Sequence, residues 1–66
     1  MGNIENRLRE TRVSKGLSQL ELAKKSGVSR NTIIKIESGE SIKVRLDTVV
    51  KLAESLDAPV TDIFLM

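Results

Sequence analysis

Along the chain, apolar side chains recur at spacings of three and four and do not alternate with polar ones for long enough to suggest a strand. Ile4, Leu8 and Thr11 fall at helical spacing in a run free of Gly and Pro, which Gly16 stops, so a first helix is expected over roughly residues 4–15. Ser18 is placed to cap a second helix. Its hydroxyl can accept from the unpaired N–H groups of the first turn, and Glu21, three residues on, can return the bond. Leu20, Leu22 and Ala23 supply the buried side of that helix, and Gly27 ends it. Ser29 caps a short third helix with Ile33 and Ile36 inward and Arg30, Asn31, Thr32 and Lys35 outward, closed by Ser38 and Gly39. After a polar loop to Arg45, Leu46, Val49, Val50, Leu52, Ala53 and Leu56 mark a fourth helix. Asp57, Ala58 and Pro59 break it, and Val60, Ile63, Phe64 and Leu65 form a short terminal helix or turn. The pattern predicts an all-α fold of five short helices without internal repeat, its core built from Leu20, Leu22, Val28, Ile33, Ile36, Val49, Leu52 and Leu56.

Length and composition narrow what such a fold can do. The 66 residues suit one domain, which buries only ~60% of the surface its unfolded chain exposes. Neither Cys nor His is present, so disulfides, zinc sites and nucleophile–histidine catalysis are excluded, and no cofactor or metal is expected. No apolar run approaches the ~20 residues of a membrane span, and charges interrupt the N-terminus before any signal-like stretch, so a cytoplasmic location is expected. The net charge of +2 hides an asymmetry: residues 1–46 carry ten Lys or Arg against five Asp or Glu, while residues 47–66 carry one against four. The first part is suited to meet an anion. A scatter of charge for solubility is the plainer reading, and the asymmetry alone discriminates poorly.

Residues 18–39, SQLELAKKSGVSRNTIIKIESG, are the informative segment. Two helices of about two turns meet through Gly27 and Val28, with the small Ala23 where a close crossing needs it and Val28 plugging the turn. This is a helix-turn-helix arrangement, formed by the second and third helices, whose second helix can present its N-terminal end to the DNA major groove.

The segment and its flanks resemble the phage repressor and Cro (XRE) family of helix-turn-helix regulators. Arg12, Gly16-Leu17-Ser18-Gln19, Leu22-Ala23, Gly27-Val28-Ser29, Ile33, Ile36-Glu37 and Gly39 all stand at that family's spacings, over about residues 4–64. The resemblance implies a homodimeric DNA-binding domain on a two-fold-symmetric operator of double-stranded DNA. Carried over by position, it implies base-edge contacts from Arg30, Asn31 and Lys35, and phosphate contacts from Gln19, Ser29, Thr32, Ser38, Lys43 and Arg45. It also pairs Arg12 with Glu37 to orient the third helix. Side-chain chemistry agrees, since Arg and Lys donate to guanine and Asn pairs with adenine. The chain departs from the family pattern at Thr11, Glu40, Val44-Arg45 and Asp57, where an aliphatic residue, a cation, Pro-Ser and Gly are usual.

Several readings stand side by side. Arg30, Asn31 and Lys35 also suit a solvated helix face, and Ser18 and Ser29 are helix caps before anything else. Ile34 is either partly buried or aimed at a thymine methyl, which places it among the base-edge candidates. Val60, Ile63, Phe64, Leu65 and Met66 crowd more apolar surface into the terminus than one short helix can bury alone, which suggests a homodimer interface. The expected function is a sequence-specific DNA-binding regulator, a small repressor. The competing reading is a protein-partner module, such as an antitoxin that also binds DNA. Enzyme activity is not expected, because no acidic pair sits in a recognisable motif and short helices leave little room for a pocket of ~300 Å³.

Overall fold

The computed structural model describes residues 6–40 and 44–64. Five α-helices follow in order: α1 (Leu8–Ser14), α2 (Gln19–Ser26), α3 (Arg30–Glu37), α4 (Leu46–Ser55) and α5 (Val60–Ile63). Local chemistry sets the boundaries of α2 and α3. The Ser18 hydroxyl accepts from Glu21 N at 3.0 Å while Glu21 Oε1 accepts from Ser18 N at 2.8 Å, a reciprocal capping box. Gly27 ends α2 at φ 78°, left-handed backbone that lets its N–H reach Ala23 O at 2.9 Å, and Ser29 Oγ accepts from Thr32 N at 3.2 Å to start α3.

α1 is shorter than the periodicity suggests. It begins at Leu8, because Asn6 and Arg7 are held out of helical geometry by partners far along the chain, with Arg7 at φ −117°, ψ 31°. Asn6 forms an isolated antiparallel bridge with Phe64, Arg7 N donates to Ile63 O at 2.7 Å, and Asn6 Nδ2 donates to Ile36 O at 2.9 Å. Asn6 Oδ1 then caps Leu8 N at 3.1 Å. Ile4, expected in this helix, lies outside the described residues.

The core gathers Leu8, Leu22, Val28, Ile33, Ile36, Leu52, Ala53, Leu56, Ile63 and Phe64, with Ala23 and Val49 packed half-buried against it. Each of the fully buried Leu and Ile side chains contributes about 1.5–3 kcal/mol relative to exposure. Leu20 departs from expectation and is 46% exposed. It stands two residues, about 200° of helical rotation, from the fully buried Leu22, so one helix cannot direct both inward. Of the apolar residues that mark α4, Leu46 at its first turn is 76% exposed and Val50 is 39% exposed. At the turn after α4, Asp57 adopts φ 52°, a left-handed backbone conformation that favours Gly and that Asp tolerates better than most other side chains.

Candidate nucleic-acid interface

α3 presents two faces. Ile33 and Ile36 point into the core, while Arg30, Asn31, Ile34 and Lys35 lie within about 140° of one another on the opposite side, and all four are exposed. Among the described residues, the side chains of Arg30, Asn31 and Lys35 have no hydrogen-bond or ion-pair partner. Ile34 is 38% exposed, so it lies open amid polar neighbours.

The first turn of α3 carries a hydroxyl pair. Ser29 Oγ and Thr32 Oγ1 stand 2.8 Å apart, and one hydroxyl hydrogen satisfies that bond. The other remains available to an external acceptor such as a phosphate oxygen. Ser38, at the far end, donates its single hydrogen to Lys35 O at 2.9 Å, with Glu40 Oε1 at 3.4 Å, so a phosphate would have to displace that bond. Arg45 is largely exposed and pairs with Asp47 at 3.3 Å. Lys43 lies outside the described residues.

Beyond its core contacts, α3 is tied to the rest of the molecule through Glu37, whose side chain is 0% exposed. Arg12 Nε donates to Glu37 Oε2 at 2.7 Å and Arg12 Nη2 to Oε1 at 3.1 Å, while Arg12 Nη1 donates to Leu17 O at 2.7 Å. Gln19 Nε2 donates to the same Oε1 at 3.1 Å and Arg9 Nε approaches it at 3.5 Å. Three helices therefore meet on one carboxylate. Burial pushes the Glu37 pKa up, but the hydrogen bonds from Arg12 and Gln19 and the Arg12 charge outweigh it, and the group is held below the ordinary carboxylate range. The Arg12 pKa is raised, chiefly by its hydrogen bond to Glu37, with burial opposing.

The motif's spacings do not single out Arg9 or Asn6. Arg9 stands three residues before Arg12 and so shares its helix face, a signal that was present. The Asn6 bond to Ile36 O has no local counterpart in the sequence.

At the C-terminus, Ile63 and Phe64, which the sequence assigned to a homodimer interface, are buried in the chain's own core. Val60 stays partly open beside an apolar groove of ≈ 430 Å³ that also includes Val50, Ala53, Ala58 and Pro59. Leu65 and Met66 lie outside the described residues. The expectation of little room for a pocket does not hold as a matter of volume. An open groove of ≈ 660 Å³ runs between α1 and the α4–α5 turn, with Arg7, Glu10, Lys15, Asp57 and Asp62 among its lining. Among the described residues no three His, Cys, Asp or Glu gather to hold a metal ion, and no helix is long and apolar enough to cross a membrane.

The chain belongs to the helix-turn-helix family of phage repressor and Cro type, whose family pattern it matches over residues 8–63. It is 39% identical over 62 residues to an uncharacterised HTH-type transcriptional regulator of Archaeoglobus fulgidus, covering 94% of this chain and 87% of that one. It is 40% identical to the HTH-type regulator MJ0272 of Methanocaldococcus jannaschii, covering 94% and 92%. Among solved structures it resembles the restriction-modification controller protein C.AhdI of Aeromonas hydrophila, with a TM-score of 0.77 and 43% identity over 85% of this chain and 83% of that one. The family is one of DNA-binding regulators, which favours regulation over the toxin-partner reading.

Proposed function

We propose that this DNA-binding transcriptional regulator is a small cytoplasmic repressor that reads a two-fold-symmetric operator through the major groove. The observation that carries the reading is the exposed face of α3, where Arg30, Asn31 and Lys35 have no partner among the described residues while the helix itself is locked through Glu37. Unpaired donors on a fixed helix match what base-edge readout requires. Arg30, Asn31 and Lys35 meet base edges and Ile34 meets a thymine methyl. Gln19, Ser29, Thr32, Ser38, Lys43 and Arg45 lie along the phosphates.

Two copies pair through the α4–α5 side, where Leu46, Val50 and Val60 are exposed. Such pairing places two copies of α3 about one DNA turn, ~34 Å, apart. Selection of bound duplexes from a random pool tests the proposal. A two-fold-symmetric consensus is expected, and a pool that stays random after selection contradicts it.

A second reading is favoured by the 43% identity to C.AhdI: control of the genes of a restriction-modification system. Genomic sites bound by the protein distinguish the two, since that reading places them beside methyltransferase and endonuclease genes.

A further inference from the structure

Oε1 of Glu37 is over-subscribed. A carboxylate oxygen offers two lone-pair directions, yet Arg12 Nη2 at 3.1 Å, Gln19 Nε2 at 3.1 Å and Arg9 Nε at 3.5 Å all converge on it. Arg9 has the longest of these contacts and is the weakest held. Its side chain is 63% exposed, whereas that of Arg12 is only 12% exposed. The cluster holds two guanidinium groups against one carboxylate, so a positive charge is left over, and it resides on the most accessible member.

We propose that Arg9 on α1 is a DNA-contacting residue that shares a backbone phosphate with Gln19. The two side chains hydrogen-bond the same oxygen atom, so their remaining N–H groups lie a few ångströms apart, a separation that one phosphate can bridge with two oxygens. Gln19 keeps one amide hydrogen beyond its bond to Glu37, and Arg9 keeps both terminal amino groups, which have no partner among the described residues. Glu37 thus acts on DNA at one remove. By holding Gln19 and Arg9 at a common point it presents a neutral and a charged donor together, and it extends the interface from the helix-turn-helix to α1. This inference rests on the DNA-binding reading and adds to it a residue outside the motif.

The test is equilibrium binding of the parent, Arg9→Ala, Gln19→Ala and the double variant to a selected operator and to an unrelated duplex across a salt series. Arg9→Ala is expected to weaken both duplexes by a similar factor and to flatten the slope of log K against log salt by about 0.9 per protomer, one fewer phosphate neutralised. Because both residues serve one phosphate, Gln19→Ala should cost less in the Arg9→Ala background than in the parent. Thermal melts separate this from loss of structure: Arg12 and Gln19 still hold Glu37 in Arg9→Ala, so its folded fraction at the binding temperature should equal the parent's. An unchanged salt slope in folded Arg9→Ala, or strictly additive losses, overturns the inference while leaving the DNA reading intact. A parent that binds no duplex at low salt removes both.

Discussion

The Arg12 guanidinium holds the Glu37 carboxylate with two donors, Nε on Oε2 at 2.7 Å and Nη2 on Oε1 at 3.1 Å, and so joins α1 to the last residue of α3. Taking both charges from water is costly, and the bidentate geometry with the added Gln19 and Leu17 bonds offsets that cost. The pair sets the angle of the α3 outer face relative to the body. Removing Glu37 leaves the Arg12 charge without its carboxylate, whereas removing Arg12 leaves Glu37 with only the Gln19 bond and the long Arg9 contact.

Glu37→Ala is therefore expected to destabilise the domain by about 3 kcal/mol, the low end of the ~3–5 kcal/mol for a buried pair because water reaches part of Arg12. For a domain this small, that lowers the thermal midpoint by roughly 12 °C or more. A melt with an unchanged midpoint contradicts the structural role.

The same group sets an acid limit. The Glu37 pKa is lower in the folded protein than in the unfolded chain, so its contribution is fully present above the unfolded value of about 4.3 and is lost as pH falls through the folded one. Stability should decline below about pH 4, more steeply in the parent than in Glu37→Gln, which has no carboxylate to protonate. Denaturant midpoints measured across that range check this, and parallel curves would contradict it.

Arg30→Ala and Asn31→Ala should each relax specificity at one base position per half-site, by ~1–3 kcal/mol for a good bidentate contact. Lys43→Ala should weaken all sequences alike. Competition between operator and unrelated duplex reads the difference. Equal loss on both for Arg30→Ala would move Arg30 from base to backbone.

α4 starts without a capping side chain, since Arg45 occupies the N-cap position and makes no cap hydrogen bond. Arg45→Ser should stabilise the fold by about 1 kcal/mol through a new cap while weakening DNA binding through loss of a phosphate contact. Paired melting and binding measurements test both halves. Gain of stability with undiminished affinity would take Arg45 off the DNA.

What could be read from the sequence was what is encoded locally. Ser18, Glu21, Gly27 and Ser29 act within four residues of themselves, so the α2–turn–α3 unit and its boundaries are legible in the sequence. The start of α1 was not, because Asn6 and Arg7 are claimed by Ile36 and Ile63, and periodicity carries no trace of partners so distant. Leu20 shows the limit of counting apolar residues: its spacing to Ala23 fits a buried face, but Leu22 takes the core and the helix has only one inward side. In the interface, the outward residues of α3 followed from helical geometry and the motif's register. The convergence of Arg9 and Gln19 on one oxygen of Glu37 depends on how three helices pack.

The most direct measurement is the salt dependence of duplex binding by the unmodified protein. With about six phosphates neutralised per dimer, log K should fall with log salt at a slope of about −5, at ~0.9 released ions per phosphate. A flat response, or no binding to any duplex at low salt, would contradict DNA binding by the basic part of this chain.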